Sequence, residues 1–189
     1  MSFGIKAKLV MRNPAQLMNL AISKSFLLIL LAGLLFACTP AAWQTEPESN
    51  FGFMLEFGSC SMDKLDTFKG EFTQNRVVEP SITIPLRLTD EQMTMVYGKM
   101  VEIEMAEYPE VFAIPKPLIG EVVMISSPYN YILMVQNGES RSSIRWTDDM
   151  VQPTNAKADR LRELFRLIIQ MVHDDPGYQQ LPEVNFGCI

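Results

Sequence analysis

The sequence predicts an α+β domain, an antiparallel sheet of about six strands with two helices packed on one face. Three observations predict it. Apolar side chains alternate at period two in Phe51, Phe53, Leu55 and Phe57, and again in Ile82, Ile84, Leu86 and Leu88. They recur at helical spacing in two separate stretches, after Thr89 and after Asn155. Asn137-Gly138, set between two apolar runs, is a strong hairpin signal. Strand runs broken by single helices fit helices gathered on one side of an antiparallel sheet, in the order βββα-βββα.

Each element has a local reason. Phe51 to Phe57 is a strand with its aromatic side inward, Ser59 to Asp66 a polar loop, and Thr67 to Thr73 its hairpin partner, with Phe68, Gly70 and Phe72 on one side. Ile82 to Leu88 is a third strand. Pro85 within it cannot donate to a ladder, which places it at a sheet edge. Thr89, followed by Asp90, Glu91 and Gln92, has the form of a capping box, and Met93, Val96, Met100 and Ile103 continue it as a helix over about Asp90 to Ala106. Tyr108 to Pro117, with Pro109, Pro115 and Pro117, is irregular. Leu118 to Ser126 is an apolar strand, Ser127-Pro128-Tyr129-Asn130 a turn, and Tyr131 to Gln136 the next strand. Ser140 to Trp146 follows the Asn137-Gly138 turn, with Ile144 and Trp146 inward and Arg141, Ser143 and Arg145 outward. Asp148 to Asn155 is a loop whose Thr154 or Asn155 caps a helix over about Ala156 to His173. That helix buries Leu161, Leu164, Phe165, Ile168 and Val172 and stops at Pro176-Gly177. The two halves do not align convincingly as a duplication.

Ahead of this domain, Lys24 precedes an apolar run from Phe26 to Ala37 that only Gly33 interrupts, and Cys38 follows. A charged start, a short apolar core and a small residue at the cut make a secretory signal. The run is shorter than the roughly 20 residues that span a bilayer. Leu35-Phe36-Ala37-Cys38 resembles the lipobox of bacterial lipoproteins, although Phe36 is bulkier than the usual residue there. The resemblance implies cleavage before Cys38, acylation of its thiol by chains such as palmitate, and stable attachment by more than one chain. The expected organisation is a signal peptide over 1–37 (Met11 and Met18 are alternative starts), a lipidated tether over 38–50, and one domain over 51–189. Thr39 to Asn50, with Pro40, Pro47 and several acids, has the composition of a flexible tether.

Cleavage leaves 152 residues, enough for one core. They hold 12 basic and 22 acidic residues, a net charge of −10. Such a surface repels nucleic acid and anionic head groups. Cys60 and Cys188 remain; export permits a disulfide between them, and two reduced buried thiols are the alternative.

The motifs for chemistry are sparse. Ser61-Met62-Asp63-Lys64 has the Ser-x-x-Lys form of penicillin-binding proteins. A chain with 12 serines and 8 lysines produces it easily, and the accompanying Lys-Thr-Gly is missing. The single histidine, His173, suits a helix C-terminus better than a triad. Asp63 with Asp66, Asp148-Asp149 and Asp174-Asp175 are acidic clusters without the calcium-loop pattern, so no metal and no cofactor is expected. Arg160, Arg162 and Arg166, with Asp159 and Glu163, form a solvated helix face with intrahelical pairing. Met93, Met95, Met100, Met105, Met124 and Met134 are expected chiefly to pack in the core.

Asp66-Thr67-Phe68-Lys69-Gly70, Leu88-Thr89-Asp90-Glu91, the Glu102 to Tyr108 segment and Leu161-Arg162-Glu163-Leu164 are similar to segments of small lipoproteins of spore-forming Gram-positive bacteria. That resemblance implies location and fold and adds no chemistry. The expected function is that of a membrane-anchored, extracytoplasmic lipoprotein with no catalytic residues, binding a protein or cell-wall partner and no nucleic acid. The alternative is a small hydrolase with a carboxylate-based site. A Gram-positive membrane and a Gram-negative outer membrane both remain open.

Overall fold

The computed structural model describes Trp43 and residues 46–59, 62–115, 123–152 and 155–183. Seven strands form one mixed sheet: β1 Gly52–Gly58, β2 Asp63–Asp66, β3 Glu71–Gln74, β4 Ile82–Pro85, β5 Val111–Phe112, β6 Val123–Asn137 and β7 Ser140–Gln152. Their order is β4-β3-β2-β1-β6-β7-β5, with β1 central. All pairs are antiparallel except β5 with β7. Among the described residues two α-helices, α1 Asp90–Glu102 and α2 Ala156–His173, accompany the sheet and make the fold α+β.

Alternation along the strands sorts the two faces. One cross-strand row runs Ile84, Phe72, Leu65, Leu55, Leu133, Ile144. Its four central members and Ile144 are at most 1 % exposed, and they join Val96 and Met100 of α1 and Leu161, Leu164, Phe165 and Ile168 of α2 in one core. On the opposite face, the row Thr83, Thr73, Lys64, Glu56, Ile132, Arg145 and Val111 crosses the whole sheet with its members exposed or half-buried. Among the described residues that face carries no aromatic cluster.

The caps behave as the sequence predicts. The Thr89 side chain accepts from Gln92 N–H while the Gln92 side chain accepts from Thr89 N–H, a complete capping box. Asn155, rather than Thr154, caps α2 by accepting from Ala158 N–H. Pro85 lies in an edge strand. Gly138, with φ +63°, opens the two-residue β6–β7 turn between Asn137 and Ser140.

Several expectations need correction. The chain reverses within Thr67–Gly70, so the loop-plus-hairpin reading becomes two short strands, β2 and β3. Asp66 accepts from Lys69 N–H through its side chain and from Gly70 N–H through its carbonyl, and Gly70 adopts φ +68°. Phe68 consequently lies over Gly52 on the face away from the helices, 55 % exposed, rather than beside Phe72. Ser127-Pro128 reverses nothing. Met124 pairs with Met150 and Tyr129 with Asp148, so residues 125–128 have only Asp149 across from them and form a bulge inside one long strand. The Asp148 to Asn155 loop is mostly strand, because β7 continues to Gln152, and the proline-rich stretch contains the short β5. The sheet thus has seven strands in the order ββββα-βββα instead of six in βββα-βββα, and α1 ends at Glu102, four residues early, where Glu104 turns to φ +57°.

Candidate binding cleft

Asp63 opens β2 and Gln74 closes β3, which places both at the same end of the sheet and on its inner side. Beyond α2, Asp175 Oδ1 accepts from Gly177 N–H at 2.7 Å and Tyr178 N–H at 3.2 Å, setting a short 3-10 turn, Tyr178–Gln180. The Tyr178 ring meets Phe72 edge-on, with centroids 5.4 Å apart, and stacks on His173 at 4.7 Å. The chain then passes Gln74, whose Nε2 donates to the Pro182 carbonyl at 3.3 Å. Between these elements lies a cleft of about 420 Å³, lined by Asp63, Gln74, Tyr178, Gln179, Leu181, Pro182 and Glu183.

Acceptors dominate its polar lining: the Gln74 and Gln179 side-chain N–H groups are committed to the Pro182 and His173 carbonyls, and the Tyr178 hydroxyl can also donate. Gln74 is 4 % exposed, and its Oε1 has no hydrogen-bond partner. A buried orphan carbonyl costs about 1–3 kcal/mol. Asp63 Oδ1 accepts from Asn75 N–H at 2.8 Å, and the Asn75 side chain donates to the Met62 carbonyl. Burial pushes the Asp63 carboxyl up to about 6, against the lowering effect of the Asn75 hydrogen bond. Burial also raises the phenols of Tyr178 and Tyr129, and the Asp63 charge adds to both shifts. Among the described residues lining the cleft there is no Lys or Arg.

The other residues singled out in the sequence are dispersed. Cys38, Cys60, Cys188 and Ser61 lie outside the described residues. Lys64 projects from the face away from the helices, beside Glu56 and Thr73, while Asp63 faces inward. Asp66 serves the Thr67–Gly70 turn, and by strand alternation it faces away from Asp63. Asp174 accepts from Gln170, and Asp175 sets the 3-10 turn, so neither is a spare loop acid. Among the described residues no group of three His, Cys, Asp or Glu is placed to hold a metal ion.

Two further readings change. Arg162 pairs with Asp159 as expected, but it also crosses to Asp148 on β7, so it belongs to the interior seam rather than the solvated face with Arg160 and Arg166. Of the six methionines, Met100 and Met105 are buried and Met93 packs on the core. Met95, Met124 and Met134 are exposed, because their positions fall on the solvent side of α1 and β6.

Another, smaller cavity of about 300 Å³ lies on the face away from the helices, where Phe68, Met134, Gln136, Arg141 and Ser143 meet.

At the far end of β1 from Asp63, the segment before the sheet is docked. Trp43 stacks on Tyr97 with centroids 5.6 Å apart, and Phe51 meets the same ring edge-on at 4.9 Å. Glu48 N–H donates to Asn137 Oδ1, Asn137 Nδ2 donates to the Tyr97 hydroxyl, and Asn50 exchanges two hydrogen bonds with the Gly138 backbone. Part of the stretch with a tether's composition is therefore packed on the domain.

Sequence reasoning named Asp63 only as a loop acid and missed Gln74 and Tyr178. The available signal was a glutamine at the inward parity of a strand, two residues after Phe72, since a polar residue in an apolar row is the informative exception. No protein-family profile matches this chain, and no curated protein matches it.

Proposed function

We propose that the chain is an exported lipoprotein, anchored through Cys38 to the extracytoplasmic face of a cell membrane, whose domain acts by binding rather than catalysis. The Lys24 to Cys38 pattern supports the anchor. The binding half is carried by one observation: the acceptor-lined cleft lies at the opposite end of the sheet from the Trp43 entry point. Cys38 precedes Trp43 by five residues, which reach at most about 17 Å. β1 separates the docked segment from the Asp63 end by about 20 Å, at about 3.3 Å per residue. A lipid at Cys38 holds the Trp43 end near the bilayer and leaves the cleft free to meet a partner, either a protein or a cell-wall component. The fold adds a neutral fact: among the described residues no helix is long and apolar enough to cross a membrane. A disulfide between Cys60 and Cys188 belongs to the same proposal, since export permits it.

Growth of an expressing strain on labelled palmitate tests the anchor. The wild-type chain takes up label and sediments with membranes, while Cys38→Ala does neither. An unlabelled wild-type chain overturns the anchored reading.

A second reading has its own observation. Asp63, with its carboxyl pushed up to about 6, shares the cleft with a second carboxylate, Glu183. An acid–base pair in a hydrolase needs one protonated and one ionised carboxyl. Turnover of a chromogenic glycoside or ester panel that Asp63→Asn abolishes would favour it over pure binding.

A further inference from the structure

The cleft faces a ligand with a specific shortage. Its polar groups are chiefly acceptors: the Asp63 and Glu183 carboxylates and the buried Gln74 Oε1, which has no hydrogen-bond partner among the described residues, while the Gln179 side-chain N–H is committed to the His173 carbonyl. Gln74 cannot correct this by moving freely, because its Nε2 is committed to the Pro182 carbonyl. The remaining lining, the Tyr178 ring, Leu181 and Pro182, is apolar apart from the Tyr178 hydroxyl. We propose that this cleft binds a primary ammonium group carried on a small organic body, with Gln74 Oε1 and the Asp63 carboxylate taking its N–H donors and Tyr178, Leu181 and Pro182 covering the body. The proposal rests on the binding reading above and names its ligand class.

An ammonium fits better than the competing donors. A metal ion would want a third carboxylate or imidazole, and no such group exists among the described residues. A neutral hydroxyl would satisfy Gln74 Oε1 but leave the two carboxylates of the cleft without compensation. A guanidinium is planar and wants a two-point carboxylate, whereas one Asp63 oxygen already accepts from Asn75 N–H. An ammonium offers three donors that rotate to meet acceptors on different elements. The net charge of −10 on the residues from Cys38 onward draws any cation toward the domain.

The same chemistry can come from a soluble amine or from an ethanolamine lipid head group, and the test separates them. The full-length protein in detergent micelles, carrying ¹⁵N on glutamine side chains, is titrated at pH 7 with glucosamine and, in parallel, with glucose. A second arm replaces the micelles with vesicles of phosphatidylcholine, with or without phosphatidylethanolamine. Glucosamine is expected to shift the Gln74 side-chain amide saturably, at least tenfold more tightly than glucose, with no effect of the ethanolamine lipid. An effect of that lipid and none of glucosamine would move the ligand source to the membrane while keeping the ammonium class. Equal binding of glucose and glucosamine, or no saturable shift in either arm, overturns the proposal. Gln74→Met should weaken glucosamine binding at least tenfold. If that variant fails to fold, Glu183→Gln at an exposed position should weaken it severalfold, and unchanged affinity there counts against the site. A negative result here leaves palmitate labelling of Cys38 untouched, so the two readings fail separately.

Discussion

Arg162 grips Asp148 at two points, with Nε to Oδ2 at 2.8 Å and Nη2 to Oδ1 at 2.6 Å. This clamp ties α2 to the long strand β7. Its guanidinium also lies over the Trp146 ring, 5.5 Å from the centroid, and Nη1 holds Asp159 at 2.6 Å. Asp148 is 7 % exposed, so removing Arg162 leaves its side chain buried without this partner. Breaking a fully buried pair costs about 3–5 kcal/mol, and the partial exposure of Arg162 brings the expectation for Arg162→Met down to about 2–3 kcal/mol. The double variant Arg162→Met with Asp148→Leu should recover at least half of that, since the uncompensated charge is gone. Urea unfolding of the wild type and the two variants measures both values.

A second clamp joins the chain before the sheet to the hairpin tip. Asn137 is 8 % exposed and uses both ends of its amide, accepting from Glu48 N–H at 2.9 Å and donating to the Tyr97 hydroxyl at 3.2 Å. Asn137→Ala leaves Glu48 N–H without this acceptor and should cost about 1–2 kcal/mol. The local effect is the more diagnostic one. Residues 46–50 should lose amide-exchange protection by at least tenfold while β1 keeps its own, because the β1–β6 ladder is independent of this contact.

The helix α1 offers a simpler test. Thr89→Ala removes the acceptor for Gln92 N–H at 3.2 Å and disturbs the reciprocal bond at 2.8 Å. Loss of an N-cap of this kind costs about 1 kcal/mol. Thr89→Ser should retain nearly all of the stability, and thermal unfolding of the pair separates capping from packing.

These elements differ in how far the sequence disclosed them. The Thr89 box, the inward row of β1 and the whole of α2 were legible because each depends on neighbours within one turn or one strand. Leu161, Leu164, Phe165, Ile168 and Val172 repeat at helical spacing, and all are fully buried. Arg162 sits among them at a position that reads as solvated, and only the path of β7 brings Asp148 beside it. Ser127-Pro128 carried a true backbone signal with a misread consequence: a proline without a donor interrupts a ladder as readily by bulging as by turning. The cleft was the least legible part, since Asp63, Gln74 and Tyr178 are far apart in sequence. Which atom of Gln74 lacks a partner is a fact of three-dimensional packing alone.

Asp63 connects stability to the cleft through its proton. Burial holds its carboxyl at about 6, above the ordinary value of 3.8. Between about pH 4 and pH 6 the folded protein therefore keeps a proton that the unfolded chain has released. The native state binds more protons in that window, so this group's contribution to stability is present below pH 4 and is lost as pH rises through 6. Two units correspond to about 3 kcal/mol, and the solvent reaching this half-exposed group reduces that to about 1 kcal/mol. Glu163 acts in the opposite sense, because Lys99 holds its carboxyl below the usual range. Comparison of wild type with Asp63→Asn cancels that effect and leaves the Asp63 contribution. The variant should gain about 1 kcal/mol over wild type between pH 4 and pH 7, measured by urea midpoints. A flat difference across that range would mean that the carboxyl ionises normally. A gain would mean that the protein retains a charged group at a cost to its own fold, which is the behaviour of a residue kept for a ligand rather than for packing.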